Sequence, residues 1–254
     1  MPTQSDDDTG AGQRQFATTH WSVVLAAGGD RSAQADRALA ELCADYWYPL
    51  YVFVRRRGHD ADAARDLTQA FFAKLLEKND LKAADPARGR FRSFLLTSMK
   101  NFLASEWRRQ AAVKRGGDVE LVSIDYRDAE DRYRIEPADT LTPEAIYERR
   151  WALGLLARAV DDLRTQYDAR DRAELFDALK GYLGYDPGGV PYGELSQRLD
   201  QSEAALRTAL SRLRARWRAR LREIVAETVQ EGRMIDDELN DLITALTPPA
   251  GPSL

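Results

Sequence analysis

Cysteine is all but missing from this chain: Cys43 stands alone among 254 residues. One thiol permits no internal disulfide and no cysteine cage for a metal. Lying in an apolar stretch, it is expected to be a buried structural thiol. Histidine is almost as scarce, with His20 and His59 isolated in loop-like sequence. No Gly-rich phosphate loop and no metal-ligand spacing occurs. The chain is therefore expected not to be an enzyme: no catalytic residue, no metal and no cofactor. No apolar run reaches the ~18 residues a membrane span needs. Residues 1–12 have neither the basic stretch nor the apolar core of a secretory signal, so the expected location is cytoplasmic and no membrane partner is predicted. Strand-like alternation is absent too, which points to an all-α fold.

What is present is helical periodicity. Residues 1–15 are small, polar and acidic, as in a disordered tail, and Thr18-Thr19-His20-Trp21 resembles a helix start. From Ser32 to Arg57, Leu39, Leu42, Tyr46, Leu50 and Phe53 recur at three- and four-residue steps. Pro49 interrupts this helix and Gly58 ends it. Asp60 or Asp62 can cap the next helix, about Ala61 to Glu77, and Lys78 to Gly89 reads as a loop. A long helix over about Phe91 to Ala112 follows. Residues 118–141 hold Pro137 and weak periodicity, and are expected to form an extended acidic linker. Thr142-Pro143-Glu144 starts another helix with a cap, a proline at the first position and an acid in the first turn. Helices are then predicted over about Arg170–Gly181, Tyr192–Leu199 and Ser202–Ala226. A weakly amphipathic one carries Ile235, Leu239, Leu242 and Leu246.

The net charge of −4 hides strong segregation. Between Arg88 and Arg115 there are eight bases and one acid; between Ser202 and Arg222 there are seven bases and one acid. After Ala226 the balance reverses, with six acids against Arg233. Two cationic helices in an acidic protein point to phosphate neutralisation on nucleic acid.

The second basic run has helix-turn-helix form. Tyr192 to Leu199 and Ser202 to Leu210 flank a short turn, with Leu195, Leu199, Leu206 and Leu210 placed to close the core between them. Ser202 caps the second helix. Glu203, Ala205, Arg207, Thr208 and Arg212 lie near its start, where a recognition helix meets base edges and phosphates. The tract Ala205-Leu206-Arg207-Thr208-Ala209-Leu210-Ser211-Arg212-Leu213-Arg214 resembles the −35-binding domain of the sigma-70 family, in its extracytoplasmic-function (ECF) group. Asp66-Leu67-Thr68-Gln69-Ala70-Phe71-Phe72 is similar to that family's core-binding signature. Phe91-Arg92-Ser93-Phe94-Leu95 through Asn101-Phe102-Leu103 to Trp107-Arg108-Arg109 is similar to its −10-binding and melting segment.

The resemblance implies two small helical domains joined by a flexible acidic linker, with an extension at each end. Their limits are 1–31 for the N-terminal extension, 32–117 for region 2, 118–141 for the linker, 142–226 for region 4 and 227–254 for the acidic C-terminal extension. It implies that Asp66, Leu67, Gln69 and Phe72 bind core polymerase. Asn79, Arg88, Arg90, Arg92, Lys100, Asn101, Trp107, Arg108 and Arg109 would serve −10 DNA. Ser202, Glu203, Ala205, Arg207, Thr208, Ser211 and Arg212 would serve −35 DNA. The implied function is an alternative sigma factor; the implied partners are the polymerase core, through its β′ clamp and β flap, and promoter DNA. A helix-turn-helix regulator that is not a sigma factor would explain residues 190–222 alone. Regulation stays open between an anti-sigma factor, a Ser/Thr kinase acting on Thr68 or Thr18/Thr19, and residues 227–246 folding onto a basic patch. An extra helix merely packed on the C-terminal domain is the alternative to the last.

Overall fold

The computed structural model describes residues 33–77, 90–112, 127–134, 141–184, 190–229 and 232–247. The expected features at Thr18, Thr19, Asn79 and Arg88 fall outside them. Every regular element among the described residues is helical: α1 (Ala33–Arg56), α2 (Ala61–Glu77), α3 (Phe91–Ala112), α4 (Arg127–Arg134), α5 (Pro143–Asp168), α6 (Ala173–Leu179), α7 (Tyr192–Leu199), α8 (Glu203–Thr228) and α9 (Ile235–Leu246). Short 3₁₀ turns follow α6 and precede α9.

The stretch of α1 from Tyr46 to Val54 is buried almost all round. Tyr46, Trp47, Leu50, Tyr51, Val52, Phe53 and Val54 are each at most 4 % exposed, as in a helix enclosed by others rather than lying on one. Pro49 sits within this helix. After it the chain turns at Gly58, whose φ of +94° only glycine adopts without strain. Asp60 caps α2, its Oδ1 accepting from the Ala63 amide at 2.8 Å. The aromatic rows of α2 and α3 close on α1 and on each other through edge-to-face pairs, Tyr46 with Phe91 at 5.4 Å and Phe71 with Phe102 at 5.8 Å.

The buried residues form two cores. The first joins α1, α2 and α3 to Ala129, the first half of α5 (Ile146 to Ala159), the end of α8 (Leu221, Ile224, Val225) and Leu242 of α9. The second joins Leu163 and Tyr167 of α5 to α6, Leu195 and the first half of α8. Helices α5 and α8 therefore run through both. Thr142 accepts from the Ala145 amide and Pro143 occupies the first turn of α5, as its sequence predicts.

The stretch expected as an extended linker holds α4, packed on α1. Ala129 is buried, and the Tyr51 hydroxyl donates to Glu130 at 2.6 Å. Arg55 pairs with Glu130 at 3.0 Å and lies over the Tyr133 ring. Burial, then Glu130, pushes the Tyr51 phenol up. Polar contacts of this kind leave no apolar period to read.

In the helix-turn-helix, Leu195, Leu206 and Leu210 are buried and Leu199 packs against them. The turn passes through Asp200 in the left-handed region, φ 48° and ψ 45°. Ordinary residues lose about 1–2 kcal/mol there, and glycine's extra chain entropy returns part of that. Asp200→Gly should therefore raise stability by about 0.5–1 kcal/mol, visible as a higher urea midpoint with an unchanged slope.

Candidate nucleic-acid interface

Three surfaces collect the residues singled out by sequence. The first is the outer side of α2. Asp66 is exposed and Leu67 half-buried. Both line a groove of about 970 Å³ with Arg57, Phe102 and Trp107. Gln69, one turn on from Asp66, is half-buried. Phe72 does not join this surface: it is 6 % exposed and meets Phe71 edge-on. It belongs to the core, because its position one step from Phe71 still falls on the wide apolar stripe. Thr68 is fully buried and its hydroxyl donates to the Ala64 carbonyl at 2.7 Å. That hydroxyl is closed to a kinase in this fold, which removes the Thr68 version of the phosphorylation expectation.

The second surface is α3, and it splits. At its far end Trp107 is 74 % exposed, the largest exposed aromatic among the described residues. Arg108 and Arg109 follow it, both exposed, with Arg109 3.2 Å from Glu106. Asn101 is exposed, and Lys100 bridges to Glu144 at the start of α5 at 2.8 Å. That contact holds the Glu144 carboxyl below its usual range, against the smaller effect of burial. Ring and cations here are presented as a single-strand site requires.

At the near end of α3 the expectation of DNA-facing arginines fails. Arg92 is 4 % exposed. Its Nε bonds Glu148 at 2.5 Å, Nη1 bonds Glu238, and Nη2 bonds Asp241 at 2.9 Å. Its guanidinium lies 4.3 Å over the Trp151 ring. Arg90 pairs with the same two α9 acids, Nε lying 2.7 Å from Glu238 Oε2 without hydrogen-bond alignment. Burial opposes the charge on Arg92, but Glu148 and Glu238 outweigh it and its ionisation moves further up. The Tyr147 hydroxyl donates to the Arg92 carbonyl at 3.0 Å, fixing α5 to the same turn. Sequence reasoning did not single out Glu148, Trp151, Glu238 or Asp241 as partners of this patch. Its only available signal was an acid pair at i and i+3 beside the Ile235, Leu239, Leu242 stripe.

The third surface is the start of α8. Ser202, Glu203, Ala205, Arg207, Thr208, Ser211 and Arg212 are all exposed along it. Ser202 Oγ accepts from the Ala205 amide at 3.2 Å, so the cap is used. Arg207 pairs with Glu203 at 3.0 Å and lies over the Tyr192 ring, linking the two helices of the motif. Thr208, Arg212 and Arg216 line a shallow groove of about 430 Å³. The later arginines divide. Arg214 bonds the Tyr182 carbonyl at 2.9 Å, Arg220 bonds Asp162 at 2.7 Å and Arg222 bonds Asp236 at 2.5 Å. Arg218 faces out.

Cys43 is partly buried, and burial pushes its thiol up to about 12. It stays protonated near neutrality and lacks the thiolate of a nucleophile. Among the described residues no group of acids, histidines and cysteine could hold a metal ion, and no helix is long and apolar enough to cross a membrane.

The described residues thus form an all-α bundle that presents an exposed tryptophan followed by two exposed arginines. Residues 46–113, which span the second half of α1 through α3, match the family model for Sigma-70 region 2. The chain therefore carries a Sigma-70 region 2 domain over that segment. That domain carries a sigma-factor role in transcription initiation, a non-enzymatic role whose partners are the RNA polymerase core and promoter DNA. No curated protein and no solved structure matches the chain.

Proposed function

We propose that this chain is an alternative sigma factor of the ECF type, which binds core polymerase through α2, opens −10 DNA on α3 and reads −35 DNA with α8. The observation that carries it is the seven-residue exposed face from Ser202 to Arg212, on a capped second helix of a helix-turn-helix, in the same chain as region 2. Recognition helices dock in the major groove by this N-terminal part. Asp66 supplies an exposed acid beside half-buried Leu67 on the α2 groove, the pairing of charge and apolar surface that a protein partner uses at a rim. Of the implied −10 residues, Lys100, Asn101, Trp107, Arg108 and Arg109 have the exposure for that role; Arg90 and Arg92 would need α9 moved. An anti-sigma factor that covers either face remains the natural external regulator.

The test is core-dependent transcription. Core polymerase plus this chain should yield discrete transcripts from genomic DNA that core alone does not. Asp66→Arg places a cation where an anion meets the partner and should weaken core affinity by roughly tenfold, measured by titrating labelled chain with core. Tight duplex binding by the chain alone, with no core-dependent transcript, would instead favour a helix-turn-helix regulator outside the sigma role.

A further inference from the structure

Arg90 and Arg92 lie inside the region 2 match, yet their charge is spent on carboxylates outside it. Glu148 comes from α5, and Glu238 and Asp241 come from α9. Glu238 and Asp241 are three residues apart on one helix, so both acids project to one side. The neighbouring Leu242 is 2 % exposed and seats the helix on α5 and α8. Both ends of α9 are held by further arginines. Arg222 Nη1 is 2.5 Å from Asp236 Oδ1 near its start, and Arg149 Nη1 donates to the Leu246 carbonyl at its end at 3.3 Å. A helix's last carbonyls have no partner within the helix, so the second contact recognises a helix end specifically.

A guanidinium offers the same donor fork to a carboxylate as to a phosphate. Two carboxylates on one helix face therefore occupy the donors that successive phosphates would use. We infer that the cleft between the start of α3 and the start of α5 is a binding site for an acidic helix, that α9 is its resident occupant, and that α9 and nucleic acid are mutually exclusive ligands of Arg90 and Arg92. This rests on the assignment of nucleic-acid binding to region 2. With α9 seated, the cation pair nearest the start of α3 is masked while Trp107, Arg108 and Arg109 stay open. Full engagement of a strand along α3 requires α9 to leave.

The test uses the full chain with both acids made neutral at constant shape, Glu238→Gln with Asp241→Asn. The apolar face of α9 is untouched. Affinity for a labelled single-stranded oligonucleotide of mixed sequence is followed across a salt series. Arg90 is released in full and Arg92 from its α9 partners but not from Glu148, so binding should tighten about fivefold at low salt and the log–log salt slope should steepen by about 0.7 to 1.4, at roughly 0.7 per phosphate on a single strand. Adding Arg90→Gln and Arg92→Gln to the same chain should return the slope to that of the unaltered protein. An unchanged slope and affinity in a folded E238Q/D241N chain overturns the inference. Should that variant fail to fold, amide exchange in the unaltered chain decides. Residues 235–246 must lose protection when the oligonucleotide is saturating, and full protection in the bound state overturns it. Neither readout involves polymerase. A chain that transcribes with core while α9 stays protected keeps its sigma role and loses this site; a chain that never transcribes still reports on α9.

Discussion

Replacing Arg92 by methionine should cost about 3–5 kcal/mol of folding stability, the usual result of removing one partner from a buried ion pair. The stem volume is kept, so the loss is one of charge and hydrogen bonds rather than of packing. Glu238, whose side chain is 1 % exposed, would be left with Arg90 alone, and Glu148 would lose its bond at 2.5 Å. Asp241 is 43 % exposed and can turn to water, so it contributes least. The contact with Trp151 adds a cation–π component of about 1 kcal/mol. For a chain of this size, a fall in melting temperature of roughly 10 °C follows. The compensating variant sharpens the expectation. Arg92→Met with Glu238→Leu removes both buried charges, and apolar replacement of a whole buried pair is often neutral. The double variant should thus recover much of the loss, and the cycle should show a coupling of about 1–3 kcal/mol. Urea unfolding of the four chains measures it. A loss below about 1 kcal/mol for Arg92→Met, at the level of a surface pair, would mean that the cluster is solvated in solution.

Trp107→Ala should leave stability nearly untouched and disable promoter opening. The side chain is 74 % exposed, so little packing is lost. Stacking of an unpaired base on an aromatic ring contributes about 1–3 kcal/mol, which corresponds to a roughly tenfold or greater drop in open complexes at limiting holoenzyme. Permanganate reactivity of unpaired thymines in the −10 region reads the effect directly. Trp107→Phe keeps a stacking face and should retain most of the opening. Core affinity should be unchanged in both variants; a fall there would move Trp107 from the DNA to the polymerase surface, since it lines the same groove as Asp66.

The helices and their ends were legible wherever the signal was local. Asp60, Thr142-Pro143 and Ser202 mark helix starts by side-chain chemistry that acts within three residues, and Gly58 marks an end by a backbone angle. The leucines of the helix-turn-helix were legible for the same reason. Long-range choices were not. An arginine that faces solvent and one that faces Glu148, Glu238 and Asp241 have the same neighbours in sequence; Arg92 and Glu238 are 146 positions apart. The acidic, amphipathic character of residues 235–246 was visible, together with the prospect of its folding onto a basic patch, but not which patch. Helix α4 was missed because Glu130 and Tyr133 are anchored by Arg55 and Tyr51, and hydrogen bonds leave no hydrophobic period. Phe72 was misplaced because a borrowed motif marks a helix face only to within one residue. On the candidate site itself, the seven α8 residues singled out by sequence are exposed, while Arg90 and Arg92 at the start of α3 face acids of α5 and α9 instead of solvent.

Helices α5 and α8 enter one core and leave through the other. Along α5 the handover falls between Ala159 and Leu163, both fully buried or nearly so and one turn apart. An unbroken helix is a poor hinge, and no proline or glycine lies between those two residues to soften it. The helix-turn-helix is therefore not a pendant on a tether but the far end of two struts. Wear at one end travels: a change that loosens Leu163 also unseats Ala159, and the core around α1 to α3 inherits damage done at the helix-turn-helix.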